Sequence, residues 1–168
     1  MLKSTTEIYF RETEKMCSFA IYEITYNLLI MKILIICTGN SCRSQMAHGF
    51  LQSLSPNLEV YSAGTNPAPC VNAKAITVMS EIGIDISSHR PININKYLSE
   101  CWDYFITVCG GANESCPAFL GKVTHRLHLG FEDPSEAVGS EEFIYNEFRR
   151  IRDEIRDVFT QFYHDISK

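Results

Sequence analysis

Ile33-Leu34-Ile35-Ile36 is a short, unbroken run of apolar and mostly β-branched residues. Such a run suits a central strand buried on both faces. It passes into Thr38-Gly39-Asn40-Ser41, a cluster of turn-forming residues. From Arg43 to Leu54 the apolar positions Met46, Ala47, Phe50, Leu51 and Leu54 fall at helical spacing. Leu58-Glu59-Val60-Tyr61 reads as a second strand closed by Ser62-Ala63-Gly64, and Pro67 and Pro69 mark a loop. Asn72–Ile82 reads as a second helix, with Gly83 where a C-cap belongs. Asp103–Val108 reads as a third strand and Arg126-Leu127-His128-Leu129 as a weaker fourth. Between Glu141 and Ile166 the residues Ile144, Phe148, Ile151, Ile155, Val158, Phe162 and Ile166 step by three or four, which predicts a long amphipathic terminal helix. Strands separated by helices imply an α/β domain in three layers, a four-stranded parallel sheet with helices on both faces. In such folds the ligand lies beyond the carboxyl ends of the strands.

Residues 1–30 have no clean period, and Glu23 and Lys32 interrupt the apolar stretch from Met16 to Cys37. A membrane helix needs about 20 apolar residues without such charges, and the early Glu residues argue against a signal peptide. Residues 1–30 are therefore expected to be an upstream extension, and residues 31–168 the catalytic domain. The whole chain of 168 residues is of single-domain size, and its net charge of -5 without a basic block disfavours nucleic acid as a partner. Seven Cys, an odd number in a chain of this length, point to reduced thiols and a cytoplasmic protein rather than a disulfide scaffold.

The chemistry concentrates in Cys37-Thr38-Gly39-Asn40-Ser41-Cys42-Arg43-Ser44. A thiol leaves the end of a buried strand, a five-residue loop follows, and Arg-Ser opens a helix. Gly39 and Asn40 tolerate the strained angles that turn successive backbone N–H groups inward. Those donors and the positive end of the helix make an oxyanion nest. Arg43 grips two oxygens of a tetrahedral anion with its planar fork. A thiol in that field is favoured as the thiolate, and the Ser44 hydroxyl can donate to it. The pattern lacks the Gly-Lys-Ser/Thr of a nucleotide-binding loop.

These residues, followed by Gln45-Met46-Ala47, resemble the phosphate-binding loop of the low-molecular-weight protein tyrosine phosphatase fold. Gln45 makes the chain more similar to the thioredoxin-coupled arsenate reductase branch, since the phosphatases usually carry Pro there. The likeness extends through Tyr61–Gly64, Gly83–Ser87, Asp103–Cys109, Gly130–Pro134 and Arg150–Ile155, and omits residues 1–30. It implies that Cys37 attacks arsenate, that Thr38, Gly39, Asn40, Ser41, Cys42, Arg43 and Ser44 form the oxyanion site, and that Asp133 is the general acid. It further implies a relay in which Cys109 attacks Cys37 to release arsenite and Cys116 then attacks Cys109, leaving a disulfide for thioredoxin. Seven helical steps would hold Cys109 and Cys116 about 10 Å apart along the axis, so that pairing requires an irregular segment, for which Gly110-Gly111 supplies a hinge. Read without the resemblance, Cys109 and Cys116 are two partly buried thiols, and Asp133-Pro134 is a loop with Glu132 as a competing acid.

The alternative is a phosphatase for phosphotyrosine or small phosphoesters, using Cys37, Arg43 and Asp133 with Cys109 and Cys116 idle. A third reading is a non-catalytic thiol site that binds arsenite. Asn40 is expected to order the loop, Cys42 to be structural or a spectator, and Cys17, Cys70 and Cys101 to have no chemical role. No metal is expected from His125 and His128, which point to opposite faces of a strand. No tightly bound cofactor and no membrane partner are expected, and a monomer is. Some reductases of this type bind potassium beneath the loop through an acidic residue in the first helix. Here His48 stands at that position and Ile92 replaces another polar one, a departure from the ion site.

Overall fold

The computed structural model describes residues 30–109 and 121–168. Cys17, Cys116 and the Gly110-Gly111 hinge lie outside the described residues. The strands are β1 (Met31–Cys37), β2 (Leu58–Gly64), β3 (Cys101–Thr107) and β4 (Lys122–His128), in a parallel sheet of order β2-β1-β3-β4. The described α-helices are α1 (Arg43–Leu54), α2 (Ala73–Ser80) and α3 (Glu141–Ile166).

β1 is central, and Ile33, Leu34, Ile35 and Ile36 are all essentially inaccessible to water. Both faces of this strand are covered, so its apolar run shows no alternation. One face carries Leu34 and Ile36 and packs with Ala63, Trp102 and Phe105 against Ile94 and Tyr97 of a short 3-10 helix, Ile94–Tyr97. Tyr61, Tyr97 and Trp102 meet edge-on there, with ring centroids 5.3–5.7 Å apart, a favoured arrangement for aromatic quadrupoles. The other face meets α3, where Phe162 stands edge-on to Tyr104 at 5.1 Å, and α1 and α2 pack on α3 in turn.

Local chemistry sets the element ends. Asn72 caps α2 by accepting from the Lys74 N–H at 2.9 Å, and Ser140 caps α3 by accepting from the Phe143 N–H at 3.2 Å. Gly83 takes φ 78° and lets the Ile84 N–H return to the Met79 carbonyl, closing α2 as its sequence predicts. β4 begins at Lys122, four residues before the predicted start. Its residues are exposed except for the half-buried Val123 and Leu127, because it is the edge strand, so the apolar signal is weak. The two 3-10 turns, Ile94–Tyr97 and Pro134–Glu136, have no period of their own and were not anticipated.

β1 and β3 pair in parallel with Ile36 opposite Thr107, and the Val108 N–H continues the ladder to the Ile36 carbonyl at 2.9 Å. Cys37 and Cys109 therefore leave the same edge of the sheet on neighbouring strands. Among the described residues no helix is long and apolar enough to cross a membrane.

Candidate active site

The loop from Cys37 to Ser44 is held from behind by the chain that follows β2. The carbonyls of Cys37, Thr38, Gly39 and Ser41 accept from the N–H groups of Thr65, Asn66, Ala68 and Asn72, at 2.8–3.2 Å. In a trans peptide the carbonyl and the next N–H point in opposite directions. Anchoring these carbonyls on one side therefore directs the following amides to the other. One such amide, Asn40 N–H, donates to Cys37 Sγ at 3.0 Å. Gly64 lets the end of β2 lie against the loop, since a Cβ there would sit 2.5 Å from the Thr38 carbonyl oxygen.

Asn40, rather than Gly39, takes the left-handed conformation, with φ 46°. Its fully buried side chain supports that angle from both ends. Nδ2 donates to Ser44 Oγ at 2.9 Å, and Oδ1 accepts from the Ile92 N–H at 2.9 Å. Asn40 is thus built into the loop, with both polar atoms of its side chain engaged there. Ser44 Oγ, which accepts from Asn40, lies 2.9 Å from Cys37 Sγ and has its own proton free to donate to the sulfur. The sulfur thus has two groups within hydrogen-bond reach, the Asn40 amide at 3.0 Å and the Ser44 hydroxyl at 2.9 Å. Cys42, which is buried, has a thiol pushed up to about 12 by that burial. It is a neutral thiol packed under the loop, not a second nucleophile.

Arg43 is 6% exposed and reaches across 90 residues of sequence. Nη1 donates to the Phe131 carbonyl at 3.1 Å and Nη2 to Asp133 Oδ2 at 2.6 Å. The other carboxylate oxygen, Oδ1, accepts from the Ser135 N–H and hydroxyl, capping the turn Pro134–Glu136. Asp133 is therefore aimed at the loop by three contacts. Glu132, the adjacent acid, points the other way and pairs with Arg150 on α3. The two adjacent carboxylates thus have different partners, Arg43 for Asp133 and Arg150 for Glu132.

Cys109 is buried just beyond β3, and the neighbouring Phe131 N–H donates to the Val108 carbonyl at 3.3 Å. That contact brings the Asp133 segment beside the end of β3. Cys70 and Cys101 are exposed; Cys101 opens β3, at the end of the strand remote from Cys109. His125 stacks on Tyr104 at 4.8 Å, and His128 Nδ1 lies 2.8 Å from Thr107 Oγ1. Among the described residues no group of three or more His, Cys, Asp or Glu converges as a metal site.

Two residues that sequence reading left aside reach the loop. Gln45, 1% exposed, donates from Nε2 to the Asn40 carbonyl at 3.0 Å and to the Arg90 carbonyl at 3.3 Å. His89 Nδ1 lies 3.0 Å from Gln45 Oε1, and the His89 ring packs on His48 with centroids 4.5 Å apart. No local signal marks His89, which lies 44 residues from Gln45 in sequence.

An αβ domain with a thiol at the head of an amide-lined loop, an arginine on that loop and an aspartate tied to it defines the class. The chain belongs to the low molecular weight phosphotyrosine protein phosphatase family, which it matches over residues 32–168. The arsenate reductase of Halalkalibacterium halodurans is 46% identical over 124 residues, covering 73% of this chain and 88% of that one. The arsenate reductase of Bacillus subtilis is 43% identical over 131 residues, covering 77% and 93%. A solved arsenate reductase in the phosphate binding state superposes with a TM-score of 0.70 at 28% identity, over 82% of this chain and 99% of that one. A low molecular weight protein tyrosine phosphatase from T. tengcongensis shares the fold, with a TM-score of 0.63 at 23% identity over 80% and 99%.

Proposed function

We propose that the protein reduces arsenate to arsenite, with Cys37 as nucleophile, Arg43 and the loop amides holding the oxyanion, and Asp133 as general acid. The Cys37 thiolate attacks arsenic(V), an As–O bond breaks, and Asp133 gives its proton to the departing oxygen. The Cys109 thiolate then attacks Cys37 Sγ. The S–As bond breaks, its electron pair stays on arsenic as arsenite, and a Cys37–Cys109 disulfide forms. Cys116 attacks Cys109, returning the Cys37 thiolate and forming a Cys109–Cys116 disulfide. The dithiol of thioredoxin supplies the two electrons that reopen it.

The observation that carries this reading is the parallel pairing of β1 with β3. It ends with Cys37 and the buried Cys109 leaving one sheet edge, where a short movement of the chain after β3 joins two sulfurs. Hydrolysis of a phosphoester needs Cys37, Arg43 and Asp133 but gives Cys109 no task. The similarity to arsenate reductases at 43–46% identity adds independent support. The reading also places the protein in the cytoplasm, where thiols stay reduced.

The test is arsenite production by the reduced protein with thioredoxin, thioredoxin reductase and NADPH, beside Cys109→Ser. Sustained turnover that is lost in Cys109→Ser is the expected result. No turnover, with aryl-phosphate hydrolysis unchanged in Cys109→Ser, overturns the reading in favour of a phosphatase. In Cys116→Ser, release of one arsenite per chain followed by a stall is expected, and normal cycling removes the relay.

A further inference from the structure

We propose that Gln45, oriented by His89, is a positioning residue for the Cys37 loop, and that this brace of uncharged side chains takes the place of a cation beneath the loop. The proposal rests on reading the loop as an oxyanion site.

The loop carbonyls from Cys37 to Ser41 are not all held alike. Four accept from backbone N–H groups of residues 65–72, and the fifth, that of Asn40, accepts from the Gln45 side chain. Asn40 is also the residue with the left-handed backbone. The orientation of its carbonyl sets that of the next amide, Ser41 N–H, which belongs to the anion nest. Gln45 therefore sets the one loop peptide that backbone pairing does not.

Gln45 is itself held on every side. Two carbonyls, Asn40 and Arg90, face its Nε2 and so fix which end of the amide is nitrogen. Oε1 must then accept, and His89 Nδ1 must carry the proton. His48 Nδ1 lies 3.2 Å from Ser62 Oγ, and its ring packs at 34° on His89.

This place does not fit a potassium ion. A hard cation takes oxygen donors. Here Ser62 Oγ meets His48, Asn40 Oδ1 already accepts from the Ile92 N–H and Gln45 Oε1 faces His89 Nδ1, so the side chains that converge with these oxygens are imidazoles rather than carboxylates. Burial lowers His48 to about 4 and also lowers His89, against the pull of Asp85. Both rings are accordingly neutral at pH 7 and supply no charge to replace the ion. The support they give is steric and hydrogen-bonded.

The test uses the full reduced chain and inorganic phosphate, which binds an oxyanion site without redox chemistry. Phosphate protection of Cys37 from iodoacetamide is read by mass spectrometry of the Cys37 peptide, in sodium, potassium or tetramethylammonium chloride at equal ionic strength. For the wild type, the half-protecting phosphate concentration is expected to agree within about twofold in all three salts. Gln45→Met should raise it about tenfold, the effect on the loop of leaving the Asn40 carbonyl without its donor. His89→Phe, which keeps a ring against His48, should raise it as well, and the double variant should be no worse than Gln45→Met.

Protection unchanged in Gln45→Met with only a lowered Tm would make Gln45 merely structural and overturn the proposal. Potassium tightening the wild type threefold or more would also overturn it. Should Gln45→Met not fold, His89→Phe decides alone: unchanged protection refutes the brace. A wild type that phosphate never protects removes the oxyanion reading itself, a result distinct from the others.

Discussion

Replacing Ser44 with Ala deletes a single buried oxygen that touches both the Cys37 sulfur and the residue that shapes the loop. Ser44 Oγ lies 2.9 Å from Cys37 Sγ and 2.9 Å from Asn40 Nδ2, and the residue is fully buried. Two effects follow, with separable magnitudes. A hydrogen bond to a charged group contributes about 1.5–3 kcal/mol, so losing this donor withdraws support for the attacking sulfur worth roughly a factor of 10 to 100. A sulfur with one donor fewer is also the stronger nucleophile, which returns about 40–50% of the loss on a logarithmic scale. The net expectation is a Cys37 alkylation rate lowered about 4- to 15-fold, with the loop amides still in place. Separately, Asn40 Nδ2 is left unpaired in the interior, which costs about 1–3 kcal/mol of stability. In a domain of this size that lowers Tm by about 3–10 °C. The assay is the second-order rate of iodoacetamide modification of the Cys37 peptide, alongside thermal unfolding. A Cys37 rate within twofold of wild type would refute the assignment of Ser44 as a donor to the sulfur. A normal rate together with a lowered Tm would leave Ser44 as a strut for Asn40 alone.

Further outcomes follow from the same geometry. His48 is lowered in the fold to about 4 from 6.5, chiefly by burial and next by the charge of His89. Its contribution is therefore fully present above pH 6.5 and is lost as pH falls toward 4. By linkage the loss between pH 7.5 and 5 is about 2 kcal/mol at most, since the ring is partly in contact with water. Urea unfolding of His48→Gln should show a flatter decline of stability over that range, and an identical slope would refute the assignment. Asp133→Asn keeps the shape but removes the proton and the Arg43 ion pair. Single-turnover arsenate reduction should slow about 100-fold or more, as for loss of a general acid, whereas Glu132→Gln should change it less than twofold. Equal effects of the two substitutions would contradict the assignment of the acid.

The elements that position the site were legible in the chain because their signals are local. The run Ile33–Ile36 passes directly into Cys37, the helix opened by Arg43 carries a clear period, and Gly83 ends α2 at a left-handed residue. Each of these is decided within a few residues, by steric preference or by which side must be buried. Cys37 and Arg43 stood out for the same reason, since the proposed nucleophile and its anion clamp lie within one turn and one helix start.

What required the tertiary structure was every choice between chemically equivalent partners. Asp133 and Glu132 are adjacent carboxylates, and only the approach of Arg43 and Arg150 from other elements separates their tasks. Asn40 and Gly39 both tolerate a left-handed angle, and the carbonyl and amide contacts from Ile92 and Gln45 decide for Asn40. Gln45 in the first turn of a helix has the pattern of a solvated residue, yet it is buried because His89 and Arg90 close over it. Local periodicity reports which face of an element turns inward. It carries no record of which distant side chain will meet that face, because that depends on strand order and on loops that approach from far along the chain.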